Sequence, residues 1–204
     1  MSIELRHLED KDCALVAKMH NSNIPAGTMN TLGNDFTELI FRTLAVSRSG
    51  FCLLAEENGQ IIGIIAGTVS MKGFYREFFR QYPFKAPWFL LTKLLNPVVL
   101  KKVYHLSRYP WAFPDLPTAE GISFVVVPEY RKTGLTFLLW QKKAEAFKAL
   151  GINCVRICIH SSLTRNQWFF EKIGLKCQGE VHFTKTEGMK VYSWDLNSFN
   201  SGVI

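Results

Sequence analysis

Apolar and polar positions change period several times along this chain, and each change marks an element. Ile3–Leu8 alternates, as a half-buried strand does. From Glu9 and Asp10 the spacing turns helical, with Leu15, Val16 and Met19 on one face. A second helix is expected after Asn34 and Asp35, which can cap it ahead of Phe36, Leu39, Ile40 and Leu44. Phe51–Glu56 and Gln60–Val69 are β-rich and are joined through Asn58-Gly59, a dipeptide suited to a tight hairpin turn.

Residues 71–118 differ in character. Phe, Tyr, Trp, Lys, Arg and Pro crowd this stretch, which predicts two helices broken near Pro83 and Pro87 and then a loop punctuated by Pro110, Pro114 and Pro117. The helix and strand periods then resume. Gly121–Val127 reads as a strand. Thr133–Leu150 reads as a helix with Leu135, Leu138, Leu139, Phe147 and Leu150 inward, ended by Gly151. Cys154–His160 is the next strand and Thr164–Lys172 a short helix before Gly174. Lys176–Thr184 and Met189–Asp195 form a closing hairpin about Glu187-Gly188. Strands alternate with helices in this half, so part of the sheet is expected to be parallel. The pattern predicts an α/β (α+β) fold, with a mixed sheet flanked by helices and a helical, aromatic-rich insertion within one domain spanning residues 1–204.

The chain has 204 residues, 48% of them hydrophobic and 20% charged, enough for a sizeable core. Its start has acids and no long apolar run, so no leader is expected, and no stretch is apolar enough to span a bilayer. The five cysteines form no CxxC pair and read as reduced thiols. The histidines are scattered, so no metal site is expected. A soluble, cytoplasmic protein fits these features. The net charge of +7 favours anionic partners, such as a phosphorylated cofactor, nucleic acid or an acidic membrane surface, and separates none of them.

The chemistry starts in residues 131–136, RKTGLT, which join a strand to a helix. A helix N-terminus carries unpaired N–H groups and a partial positive charge. Gly134 stands where a backbone must approach closely, beside Arg131 and Lys132, so the turn is suited to cradle a pyrophosphate. A solvated basic turn would have the same composition.

The wider context resembles the GNAT superfamily of acetyl-CoA-dependent N-acetyltransferases. That family has a turn of pattern Q/R-x-x-G-x-G/A after its fourth strand. Arg131 and Gly134 fit the first and fourth positions, while Thr136 stands where the family has Gly or Ala and Lys132 where Gly is common. AEGISFVVVPEYR resembles the family's fourth strand, NQWFFEKIGL its late helix, IELRHLEDKDCALVAKMH its first strand and helix, and NGQIIGIIAG its second hairpin arm. The resemblance covers nearly the whole chain except residues 71–118. It implies a sheet of about seven strands, acetyl-CoA as co-substrate and no metal.

Residue by residue, the resemblance implies that the backbone of Phe124, Val125 and Val126 binds the pantetheine arm. Arg131, Lys132, Thr133, Gly134, Leu135 and Thr136 would hold the pyrophosphate. Glu120, at the start of the fourth strand, would be the general base, and a backbone N–H near Val126 would meet the oxyanion. The tyrosine that protonates the leaving thiolate in many relatives is here Phe170, with Tyr130, Tyr192 and His160 as substitutes. The family's cofactor-contacting asparagine aligns with Leu163, and Asn166 is the nearby replacement.

The acceptor implied is a small-molecule amine. An amino sugar or sugar nucleotide would suit the insertion, whose aromatics can wall a pocket and whose Arg76, Arg80 or Arg108 can hold an anionic group. A second reading of the insertion is a basic-aromatic element resting on a membrane surface or on a second subunit in a homodimer. Nucleic-acid binding rests on charge alone. A degenerate relative that binds acyl-CoA as a sensor is the other class, supported by Thr136 and by the missing tyrosine.

Overall fold

The computed structural model describes residues 3–24, 28–97, 99–101, 103–104, 112–183 and 187–198. Its strands are β1 (Glu4–His7), β2 (Gly50–Glu57), β3 (Gln60–Thr68), β4 (Glu120–Val126), β5 (Cys154–His160), β6 (Lys176–His182) and β7 (Gly188–Asp195). The helices are α1 (Cys13–Asn23), α2 (Thr28–Leu32), α3 (Asn34–Val46), α4 (Met71–Gln81), α5 (Lys85–Leu94), α6 (Leu135–Ala149) and α7 (Thr164–Lys172). The strands make one seven-stranded sheet in the order β1-β2-β3-β4-β5-β7-β6. Every neighbouring pair is antiparallel except β4 with β5, which is parallel. This is the mixed, helix-flanked sheet expected from the alternation of periods.

Asn58 and Gly59 turn the β2–β3 hairpin with φ of 52° and 77°, the two left-handed positions a type I′ turn requires. β3 is an interior strand, flanked by β2 and β4, and is buried from Ile61 through Thr68. Its Ile64 and Ala66 face a core built with Val16, Phe36, Phe41, Phe74, Phe78 and Ala86 of α1, α3, α4 and α5. Its Ile62 and Ile65 face the opposite core, with Leu135, Leu139, Trp140 and Phe147 of α6 and Phe170 of α7. Gly63 and Gly67 let α6 lie directly on β3. A Cβ at Gly63 would sit 2.9 Å from Leu139 Cδ1, and one at Gly67 2.4 Å from Phe147 Cζ.

The structure departs from the sequence reading in several places. The short α2 precedes α3 and was not expected. Pro83 separates α4 from α5, but Pro87 lies within the first turn of α5, where its missing N–H costs no helical bond. Residues 99–101 and 103–104 are helical as well. Leu15 and Leu150, expected inside, are 57% and 46% exposed, because Val16, Ala17 and His20 form the inner row of α1 and Leu150 lies beyond the end of α6. Trp140 and Lys143 fill the buried row of α6 instead. Arg108, Pro110 and Thr184 lie outside the described residues.

Candidate active site

The sheet is incomplete where β4 meets β5. Their parallel pairing consists of Glu120 with Arg156 and Gly121 with Ile157. On its other side β4 pairs with β3, with Ser123 opposite Ala66 and Gly121 opposite Gly67, so Ile122 is one extra residue, a bulge. Beyond the bulge β4 continues along β3 while β5 continues along β7, and the two strands part. The Val127 N–H donates to the Ile62 carbonyl at 3.0 Å. By alternation, Val125 also turns its backbone groups to β3, whereas Phe124 and Val126 turn theirs into the notch between β4 and β5. Of the three strand residues expected to bind the pantetheine arm, Val125 is therefore satisfied within the sheet, and Phe124 and Val126 face the opening.

A turn follows β4 at its open end. Pro128–Tyr130 make one 3₁₀ turn, residues 131–134 are exposed, and Gly134 adopts φ 80°, ψ −9° immediately before α6. That left-handed conformation is why glycine stands there. No atom lies within 4 Å of where a Gly134 Cβ would be. The first α6 bond runs from the Leu138 N–H to the Gly134 carbonyl, so the Leu135 and Thr136 amides ahead of it have no acceptor within the helix, while the Thr133 amide is spent on the Tyr130 carbonyl. The turn thus aims donors at solvent beside the notch.

The basic residues of the turn divide their work. Lys132 is exposed. Arg131 is engaged in the protein: Nε donates to the Val126 carbonyl at 3.0 Å and Nη2 to Asn23 Oδ1 at 2.9 Å. Its side chain ties the end of β4 to the end of α1, and the Val126 N–H remains directed into the notch. Thr133 Oγ1 donates to the Tyr130 carbonyl. Leu135 is buried in the α6 core, while Thr136 is half-buried on the first turn. Asn166 lies in the first turn of α7, where no side chain caps the helix.

Glu120 lies where β4 and β5 are last joined. It is 7% exposed and pairs with Arg156, 5% exposed, whose Nη2 and Nε lie 3.0 and 3.1 Å from Glu120 Oε2. Sequence reasoning singled out Glu120 but not its partner. An arginine within an apolar strand was the signal, since a buried guanidinium requires a carboxylate near it. Tyr75 of α4 leaves nearly half its surface in solvent. Its phenol is nevertheless pushed up to about 12, first by desolvation and then by the Glu120 carboxylate.

Lys143 of α6 is buried against the bare backbone of Gly121. Its Nζ lies 4.8 Å from the centre of the Trp140 ring and would be 2.4 Å from a Cβ at Gly121. Burial brings its ammonium down to about 7, against the opposing pull of Glu120. An unfolded lysine holds its proton to about pH 10.4. Between these values the unfolded chain binds more protons, so this group makes stability rise with pH. Lys143→Met is expected to be more stable than wild type at neutral pH. The gap between the two should close from pH 7 to pH 10 by up to about 1.4 kcal/mol per unit, measured as urea midpoints.

The groups that could protonate a leaving thiolate are unequal. Phe170 is buried among Trp140, Tyr192 and Phe169 and offers no proton. The Tyr130 hydroxyl is held by the Glu57 carboxylate at the edge of the hairpin. Tyr192 is fully buried, its phenol pushed up to about 12 by desolvation and then by Cys177 and Glu171. His160 ends β5 at the lip of the notch. Its Nδ1 accepts from the Ser162 N–H at 3.3 Å and lies 2.7 Å from Ser162 Oγ. A backbone N–H can only donate, so in the neutral ring the proton is on Nε2. That Nε2 is buried with no hydrogen-bond partner, as is Ser123 Oγ on β4. Ile157 and Ile159 belong to the α6 core, so His160 projects to the opposite face with Arg156; Ser123 shares that face with Val125.

A family model, the Acetyltransferase (GNAT) family, matches residues 16–175, well over half of the sequence. The chain belongs to the GNAT acetyltransferase family. Solved structures share its fold at low identity. An N-acetyltransferase of Staphylococcus aureus Mu50 is 18% identical with a TM-score of 0.62, over 96% of this chain and 99% of that one. Arabidopsis thaliana NAA60, solved in complex with acetyl-CoA, is 12% identical with a TM-score of 0.62 and the same coverage. The PaiA N-acetyltransferase of Thermoplasma acidophilum, solved with coenzyme A, is 13% identical with a TM-score of 0.58, over 95% and 100%. No curated protein matches the sequence. Among the described residues of this GNAT chain, no three His, Cys, Asp or Glu side chains gather to hold a metal ion. No described helix is long and apolar enough to cross a membrane.

Proposed function

We propose that this chain transfers the acetyl group of acetyl-CoA to a primary amine of a small molecule, by direct attack in a ternary complex. The observation that carries the reading is the unpaired edge of β4 next to a donor-lined turn at the start of α6. Pantetheine is a chain of amides. The Phe124 and Val126 backbone groups are suited to bond it as a sheet edge bonds an added strand. The α6 donors and Lys132 suit the pyrophosphate, and Asn166 stands close enough in sequence to the end of β5 to serve the same arm.

In the reaction, the amine must first lose a proton to Glu120, directly or through water. Its nitrogen then attacks the thioester carbon, the Val126 N–H stabilises the oxyanion, and the C–S bond breaks. The thiolate takes up the second amine proton, released as the amide forms, and His160 Nε2–H, a donor without a partner, can hydrogen-bond the departing sulfur. Tyr75, near Glu120 electrostatically, and Arg76 beside it on the same helix favour an acceptor with a ring to stack and an anionic group to pair, such as an amino sugar or sugar nucleotide. We assign the reaction to the cytoplasm, one of the compartments that supply the donor thioester.

Calorimetric titration with acetyl-CoA, followed by thiol release across a panel of amines, tests this reading. Saturable one-site binding and turnover are expected. His160→Ala should retain binding and lose turnover by about tenfold or more. Unchanged turnover in that variant would remove His160 as the donor. Binding without turnover on any amine would favour a sensor module, and absent binding would overturn the cradle.

A further inference from the structure

α5 carries apolar side chains on two faces, and only one is used by the fold. Ala86, Phe89 and Leu90 pack toward the core. Phe84, Trp88, Leu91 and Leu95 are 86%, 66%, 60% and 82% exposed. Their spacing of four, three and four residues puts them on one narrow stripe, with Phe84 and Leu95 as the helix's two caps. Leu100 and Tyr104 add 50% and 51% exposed surface beyond the helix end. Aromatic and leucine side chains aligned in solvent are costly unless something covers them.

The charge of the segment says what that cover is. Residues 71–104 contain Lys72, Arg76, Arg80, Lys85, Lys93, Lys101 and Lys102 against the single acid Glu77, so the stretch holds nearly all of the chain's net charge of +7. Glu77 is turned away to the Ser47 hydroxyl. A second copy of this chain docked face to face would oppose two such cationic surfaces. An anionic lipid surface complements both features, since Trp and Phe settle at the headgroup level and lysines meet phosphates.

We infer that α5 docks this protein on anionic membrane, with Phe84, Trp88, Leu91 and Leu95 entering the headgroup region and Lys85 and Lys101 on the lipid phosphates. The inference is independent of acetyl transfer. The docked segment runs back through α4 to Tyr75, so the bound protein would hold the acceptor side of its site near the bilayer.

The test is flotation of the full chain with vesicles of phosphatidylcholine alone or mixed equally with phosphatidylglycerol. Wild type should float with the mixed vesicles only, and raised salt should release it. Trp88→Glu/Leu91→Glu changes two exposed positions, so its circular dichroism and melting should match wild type while vesicle affinity falls about tenfold or more. Failure to float with the mixed vesicles, equal flotation with both lipids, or binding indifferent to the double variant would each overturn the inference. So would a wild-type dimer without lipid affinity that the same double variant dissociates, because the stripe would then be a subunit contact.

Discussion

Gly134→Glu should abolish acetyl-CoA binding while leaving the fold intact. Two effects act together at this residue. The φ of 80° is a conformation that a non-glycine residue adopts at a cost of about 1–2 kcal/mol. The new carboxylate would stand among the donors meant for the pyrophosphate. A like charge at about 4 Å costs roughly 4 kcal/mol at an interfacial dielectric. The open space around the Cβ position means that bulk alone disturbs no packed neighbour. Affinity should therefore fall by more than about 100-fold, since each 1.4 kcal/mol is tenfold, while the backbone strain lowers the melting temperature by only about 2–8 °C. Gly134→Asn separates the effects, because asparagine tolerates the left-handed region and carries no charge. It should bind within several-fold of wild type. Calorimetric affinities of the two variants check this, and a Glu variant that binds normally would move the cradle away from the turn.

Glu120→Gln should lower amine acetylation by about 10²–10⁴-fold, the range of a lost general base, and barely alter acetyl-CoA affinity. The ion pair complicates the experiment instructively. Removing one partner of a buried pair costs about 3–5 kcal/mol, because Arg156 would be left charged at 5% exposure. Glutamine keeps the shape and one accepted bond, so the loss should fall toward the lower end. Adding Arg156→Met removes that buried charge. The double variant should regain most of the melting temperature and none of the turnover. Recovery of turnover together with stability would make Glu120 an anchor between β4 and β5 and not the base.

Legibility in the sequence followed the range of the physics. The hairpin turn at Asn58-Gly59 and the turn at Gly134 were legible because backbone geometry within a few residues dictates glycine there. The order of strands and helices was legible from period. The inner face of α6 was legible in part: Leu135, Leu139 and Phe147 are buried as expected. Its flanks meet both β3 and the aromatic group of Trp194, Phe169 and Phe170, so Trp140 and Lys143 are buried while Leu150 falls past the last turn. Arg131 was read as a phosphate ligand, and its bonds to the Val126 carbonyl and to Asn23, 108 residues away, could not be read from neighbours. The Glu120–Arg156 pair joins residues 36 apart and needed the sheet register to appear. Which strand residues face the notch depended on one inserted residue, Ile122, and a bulge leaves no mark in hydrophobicity.

The two-residue joint between β4 and β5 has a wider meaning. It leaves β1 to β4 and β5 to β7 as two half-sheets, each hydrogen-bonded within itself, sharing the backbone bonds near Gly121, the Arg156 N–H to the Ala119 carbonyl, and the helices packed across them. A molecule lying in the notch and bonded to both lips takes the position of a missing strand. Its binding free energy is then also the free energy that closes the sheet, and both halves share it by mass action. Such a substrate is a removable piece of the architecture, and the protein becomes one continuous cooperative unit for as long as it is held.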